Sequence, residues 1–435
     1  MAGAARAEGD AAADHVSADD SADAPVPPRG LARLRTIGPG IVAAATGVGA
    51  GDLVATLIAG TRFGYALLWA AVIGCIVKIA LAEGTARYHL VTGRTIFQGW
   101  QTLGRWTSVY FGFYILIWGA LYGATAMSAT ALPLTALFPI LSLRGWAVLA
   151  GLFGLIFVWF NRYQAFENVM KLLVAVMFVV MVGLAILVLP DLGAIAEGLI
   201  PRIPDNSLFY TLGLIGGVGG TITTAAYGYW VNAKGWRGPA WIPMMRLDNG
   251  TAYVATGIFV IAMLIVGAEL LYAADIALGT GDEGLLGLSD VLAARFGRPI
   301  AITFLIGFAA SALSSLLGVW QGVSLMFSDF VHQLQGAQER PEEAERSRPF
   351  RFYLLWLTFP PMLLLLFDKP FFLVILYSAF GAFFMPFLAI TLILLLNRRD
   401  IAAEHRNGWM TNGLLGASAA LFIALCGQQL WALAQ

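Results

Sequence analysis

The sequence predicts an all-α integral membrane protein with eleven transmembrane helices, built as two inverted five-helix repeats plus one extra helix. Three observations lead there. The chain is 59% hydrophobic and only 12% charged, with a mean hydropathy of +0.77, whereas soluble domains carry roughly 25% charge. Charge is excluded from long blocks, each of a length able to cross a bilayer. Two of those blocks are interrupted by glycine: Thr46-Gly47-Val48-Gly49-Ala50-Gly51-Asp52 and Gly216-Gly217-Val218-Gly219-Gly220-Thr221. Each glycine weakens a helix by roughly 1 kcal/mol relative to alanine. A bilayer tolerates unwound backbone only where protein packs it or it lines a cavity. A matched pair of broken helices, one per half, points to a secondary transporter's substrate site.

Apolar runs of about 20 residues place the spans near 37–60, 66–87, 106–136, 144–161, 165–190, 208–232, 249–272, 299–327, 351–367, 370–397 and 409–432. The third and eighth are long enough to tilt or bend. The breaks fall in the first and sixth, so repeat one covers about 37–190, repeat two about 208–397, and the extra helix about 409–432. An odd number of helices per repeat makes the second half enter from the opposite side, and the two breaks then meet near the midplane. Residues 1–30 are rich in Ala, Asp, Ser and Pro. They lack a signal peptide's basic start and apolar run and read as a disordered tail.

Basic residues set the orientation. Arg29, Arg33 and Arg35 precede the first span, and loops after even-numbered spans hold Arg87, Arg94, Arg105, Arg162, Lys234, Arg237, Arg246, Arg340, Arg346, Arg348, Arg351, Arg398, Arg399 and Arg406. The other side has only Arg62, Arg144, Arg202, Arg295, Arg298 and Lys369. The positive-inside rule then puts the amino terminus in the cytoplasm and the carboxyl terminus outside a plasma (inner) membrane. Cys75 and Cys426 both sit in apolar runs and read as buried free thiols. There is no nucleotide-binding loop, no metal-ligand pair at helical spacing and no nucleophile–base set. No enzyme activity, cofactor or nucleic-acid partner is expected; the partners are lipid bilayer and a small substrate.

Asp52 is the first site candidate. A carboxylate at bilayer depth usually faces a cavity or partner, although Asp also suits the first turn of the outer half-helix. The unwound backbone near Gly49 and Gly220 offers carbonyls. Lys78, about two turns inside the second span, reads as snorkelling to the interface or pairing with Glu83. Its alternative role is a fixed cation near Asp52 that substitutes for a transported ion. Glu83 and Arg87 stand four apart in the favourable order and read as a structural pair. Glu167, Lys171 and Asp329 sit at span ends, where solvation is expected.

Gly38-Pro39-Gly40, Arg62-Phe63-Gly64-Tyr65-Ala66-Leu67-Leu68-Trp69, Ala86-Arg87 and Thr92-Gly93 resemble the opening of the Nramp family of divalent metal transporters. Ser314-Ser315 with Gln321-Gly322 resembles that family's eighth helix. Pro386-Phe387 and Asn397-Arg398-Arg399-Asp400 resemble its tenth helix and exit. The likeness runs from about residue 37 to 410 and implies a LeuT-like fold with proton-coupled metal uptake. The departures lie at the ligands. The first-helix motif Asp-Pro-Gly-Asn aligns with Gly49-Ala50-Gly51-Asp52. On the sixth helix, an alanine carbonyl and a methionine followed by Pro-His align with Gly220, Thr223, Thr224 and Ala225. A tenth-helix glutamine aligns with Phe384. The family's third-helix acids have no counterpart between Tyr110 and Ala131, where Tyr122, Thr125 and Ser128 are among the few polar residues.

The resemblance therefore implies a substrate or metal site of Asp52, Gly49, Gly220 and Thr223, with Thr46, Gln321, Tyr227 and Lys78 behind them. With a carboxylate, a hydroxyl, carbonyls and water as the available ligands and soft thioether absent, preference should move from late transition metals toward harder ions such as Mn²⁺, Mg²⁺ or Ca²⁺. A second reading stays open, an organic-solute transporter on the same scaffold. Glycine-rich breaks expose N–H groups to a carboxylate, Asp52 binds an amine, and Tyr122, Tyr227 and Phe384 supply apolar walls.

Overall fold

The computed structural model describes residues 26–160, 162–272, 282–336, 344–367 and 370–434. The acidic tail up to residue 25 lies outside the described residues. The described backbone is helical throughout, without a strand.

After a short α1 (Ala32–Thr36), the first expected span is two helices, α2 (Pro39–Gly47) and α3 (Ala50–Phe63). Pro39 starts α2 at the one position where a missing N–H and a fixed φ both suit a helix. Next come α4 (Leu68–Thr92), ended by Gly93 in the left-handed region, and the short α5 (Ile96–Thr102). A reciprocal capping box between Thr95 and Gln98 starts α5. Then follow α6 (Arg105–Leu137), α7 (Leu143–Phe160), α8 (Tyr163–Leu187) and the short α9 (Leu192–Gly198).

A second split helix follows, α10 (Leu208–Gly217) and α11 (Ile222–Ala233). Then follow α12 (Ile242–Gly267), extended by a π turn over Ala268–Tyr272, and α13 (Asp282–Phe296). The rest is α14 (Arg298–Leu334), α15 (Arg348–Leu364), α16 (Pro370–Leu396) and α17 (Trp409–Ala434).

A helix or a broken pair thus occupies each of the eleven expected segments. α1, α5, α9 and α13 fall outside them, because none is an apolar run of span length. Seven described helices are long and apolar enough to cross a membrane. Their outer faces carry apolar stripes at helical spacing, such as Val109, Phe113 and Ile117 on α6 and Leu149, Phe153, Ile156 and Phe160 on α7. Surfaces of that kind are stable against lipid rather than water.

The buried apolar residues form two clusters. Ala45 belongs to one and Val48 to the other; Val218 belongs to the second and Ile222 to the first. Each broken helix therefore changes cluster at its break, and the breaks lie on the seam of the core.

Two expectations of solvated span ends fail. Glu167 on α8 is fully buried and accepts from Lys171 (2.6 Å) and from Lys234 at 2.7 and 2.8 Å. Asp329 is also buried and accepts from Tyr229 at 2.6 Å. Tyr229 lies on α11 and Lys234 just past its end, so these carboxylates sit between helices. The expected Glu83–Arg87 pair is present at 3.0 Å, and Arg246 joins it at 2.9 Å.

Candidate functional site

The first break is two residues long. Val48 (φ −87°, ψ 74°) and Gly49 (φ −93°, ψ 179°) leave the helical region, and Gly49 becomes the N-cap of α3. Any residue could adopt those angles at Gly49; glycine is needed there for space, since a Cβ would lie 2.7 Å from Ser315 Oγ. Carbonyls freed at the end of a helix need donors. One face of α14 supplies them: Ser314 Oγ donates to Ala45 O (3.2 Å), Ser315 Oγ to Thr46 O (2.7 Å) and Ser311 Oγ to Val48 O (2.8 Å). These serines share a face because residues three and four apart align on a helix. Tyr122 OH on α6 meets Ser315 Oγ at 2.7 Å.

Asp52 is the third residue of α3, in the turn where a carboxylate faces the positive end of the helix dipole. Its side chain lies outside the described residues. Thr46 is buried, but its hydroxyl returns to Val42 O at 2.6 Å, so its own helix satisfies it.

The second break spans Val218–Thr221. Gly219 (φ +77°) and Gly220 (φ +84°) occupy the left-handed region, where a side chain would be strained. Gly47 packs directly on this segment: a Cβ there would meet the carbonyl carbon of Gly219 and lie 2.7 Å from Gly220 N. The two breaks are therefore backbone to backbone. Thr223 Oγ1 faces Gly220 and would meet any Cβ added there. It is buried and, among the described residues, has no hydrogen-bond partner, and the same holds for Thr221 Oγ1. An orphaned hydroxyl beside an unwound backbone is the arrangement a bound substrate would satisfy.

Lys78 corrects the sequence reading. It neither snorkels nor pairs with Glu83, whose carboxylate is held by Arg87 and Arg246. It is fully buried, and its Nζ donates to the carbonyl of Gly220. Met385 Sδ on α16 lies 3.9 Å from that Nζ, and the ring of Phe422 on α17 is 5.6 Å from it. The expectation that no thioether is present holds for the sixth span only, because α16 brings Met385 to the same ammonium.

Two further candidates sit elsewhere. Gln321 accepts from Trp230 Nε1 (2.6 Å) and donates to Glu345 (2.9 Å), so both ends of its amide are engaged away from the breaks. Burial pushes the Glu345 carboxyl above its ordinary range, and the Gln321 bond works against that. Tyr227 OH donates to Asp248 at 2.8 Å and lies 3.1 Å from Met245 O, an anchoring role rather than a wall of the site. Phe384 is stacked on Tyr114 at 5.2 Å, inside an aromatic cluster.

Asp248 is a residue positioning the first broken helix that sequence reasoning missed. Fully buried on α12, it accepts from Gly38 N (2.8 Å) and Gly40 N (2.6 Å) and so caps the start of α2. The expected seventh span began at 249, which left this carboxylate in a loop; the helix starts at Ile242. Met385 was missed because it comes from a different helix than the aligned thioether. Among the described residues no three His, Cys, Asp or Glu side chains group to hold a metal.

Comparison with known proteins places this geometry. Residues 40–432 match the family model described as Natural resistance-associated macrophage protein-like, Nramp. The divalent metal cation transporter MntH of Deinococcus radiodurans is 25% identical, over 93% of this chain and 92% of that relative. Among solved structures, a manganese transporter of Eremococcus coleocola superposes with a TM-score of 0.76 at 17% identity, covering 92% of this chain and 89% of that one. A nucleobase-cation-symport-1 family transporter in a closed conformation gives 0.59 at 14% identity, over 91% of this chain and 92% of that one. The second likeness shows that the fold extends beyond metal carriers. With a family model matched from residue 40 to 432 and the two broken helices in contact, the chain belongs to the Nramp family of membrane transporters.

Proposed function

We propose that this chain is a secondary active transporter that moves a divalent cation across the plasma membrane by alternating access, coupled to a proton. The buried Thr223 hydroxyl, without a partner among the described residues and beside the unwound Gly220, with Gly47 of the first break against it, carries this reading. Asp52 supplies the carboxylate, the backbone at Gly49 and Gly220 supplies carbonyls, and Thr223 supplies the hydroxyl. Oxygen donors outnumber the single thioether of Met385, which favours harder ions such as Mn²⁺ and Mg²⁺. The eleven helical segments each cross the bilayer, as the inverted repeats 37–190 and 208–397 plus an extra helix at 409–432, with the amino terminus cytoplasmic and the carboxyl terminus outside.

The test is Mn²⁺ uptake into proteoliposomes by the parent, Asp52→Ala and Thr223→Val. Saturable uptake should be lost in Asp52→Ala and weakened in Thr223→Val. An Asp52→Asn protein that transports as well as the parent sinks the assignment of Asp52.

One observation favours the second reading, an amino-acid or small-amine carrier. The Lys78 ammonium sits at the second break, where it could serve as counter-ion to a carboxylate. Binding heat from an amino-acid panel, with none from Mn²⁺, Mg²⁺ or Ca²⁺, would select that reading.

A further inference from the structure

The surroundings of the Lys78 ammonium are those of a cation site. It bonds the carbonyl of Gly220, in the unwound segment between α10 and α11. A polarisable sulfur, Met385 Sδ, lies 3.9 Å away, and the face of Phe422 lies 5.6 Å away. Carbonyl, thioether and aromatic face are all groups that attract a cation and have no proton to give. Gly219 adds to the enclosure, its position set against Tyr253 and 3.8 Å from Lys78 Cγ for an added Cβ. The protein thus places its own positive charge on the sixth-span carbonyl that the proposed substrate would use.

We propose that Lys78 is a tethered competitor of the transported cation: its ammonium holds the Gly220 carbonyl in the unloaded protein and yields it on loading. This deepens the cation-transport reading and rests on it. Two positive charges repel strongly at one oxygen in a low dielectric, so the incoming ion takes the carbonyl only when the ammonium withdraws. The flexible four-carbon stem of lysine permits that withdrawal. The arrangement makes cation affinity lower than the donors alone would give, which favours release after transport.

The experiment is Mn²⁺ titration calorimetry on the purified full-length parent and on Lys78→Met, Lys78→Gln and Lys78→Arg. Removing the competitor should tighten Mn²⁺ binding about tenfold or more in Lys78→Met, given the strength of a charge-assisted hydrogen bond. Lys78→Gln should follow the same direction, which keeps the test decisive if the methionine variant does not fold. Lys78→Arg keeps the charge and should bind no tighter than the parent. Mn²⁺ binding that is unchanged or weaker in both neutral variants refutes the tethered competitor while leaving cation transport standing. Absence of Mn²⁺ binding in parent and neutral variants alike refutes the cation reading itself, and this inference with it.

Discussion

Gly47→Ala tests whether the two breaks are in backbone contact. Gly47 is the last residue of α2, so on helix propensity alone alanine would gain up to about 1 kcal/mol. The structure predicts the opposite sign. An added methyl would lie 2.7 Å from Gly220 N and in harder contact with the carbonyl carbon of Gly219. Ordinary carbon contacts need roughly 3.5 Å or more. Both obstacles are backbone, so no rotamer change relieves them, and α2 or the second break must move by about an ångström. Overpacking of that kind costs about 1–3 kcal/mol, and the positive-φ pair at 219 and 220 leaves little room to adjust. The expected net loss is about 2 kcal/mol, read as a fall of roughly 2–5 °C in the unfolding midpoint of the detergent-purified protein. Mn²⁺ uptake should fall further than stability, because the displaced segment carries the Gly220 carbonyl. Gly183→Ala on α8 is the control: a Cβ there meets nothing within 4 Å, so its midpoint should stay level or rise slightly. A Gly47→Ala protein with the parent's midpoint and uptake would refute the packing of the two breaks.

Four other outcomes are expected. Asp248→Asn leaves one of the two glycine N–H groups at the start of α2 facing an amide NH₂, and should cost about 2–3 kcal/mol. Tyr227→Phe, which removes only one of the donors to Asp248, should cost about 1 kcal/mol; equal midpoints for the two variants would rule out the cap. Lys234→Met leaves the buried Glu167 with Lys171 alone, and thermal unfolding should show a loss of about 2 kcal/mol, less than for a pair broken completely. Met385→Leu should weaken Cd²⁺ competition against Mn²⁺ about tenfold, or ~1.4 kcal/mol, in an uptake assay; an unchanged ratio would place the sulfur outside the site.

The segments were legible because they obey one rule at a time. Long apolar runs need only length and the absence of charge, and each of the eleven coincides with a helix or a broken pair. The breaks were legible because glycine has few other uses at such density inside an apolar run. Their extent was less so: the first shrinks to Val48 and Gly49, since Gly51 and Asp52 are carried in the first turn of α3. Side-chain destinations were the least legible. Glu167 and Asp329 look solvated when read along the chain, and only helix packing reveals Lys234 and Tyr229 beside them. Lys78 failed for the same reason. A lysine two turns into a span fits a snorkelling stem equally well as an inward one, and its partners come from residues 220, 385 and 422, all far away in sequence.

Two buried charges beside the broken helices, Asp248 and Lys78, follow a common logic. In the proposed repeats α4 and α12 are equivalent, each the helix after a break, and each gives one charge to the broken helix of the other half. From α12, Asp248 takes the free N–H groups where α2 begins. From α4, Lys78 takes a carbonyl of the unwound segment between α10 and α11. The signs are dictated by the backbone: a helix start presents N–H groups and attracts an anion, and an unwound carbonyl attracts a cation. The two contacts nevertheless differ in what they can do. Asp248 is bound by two amides and a tyrosine hydroxyl, so it fixes the position of α2. Lys78 holds its carbonyl on a flexible stem, and a second cation can use the same oxygen. In the proposed transport cycle, one half anchors its partner's broken helix, while the other half leaves its contact open to exchange with the substrate.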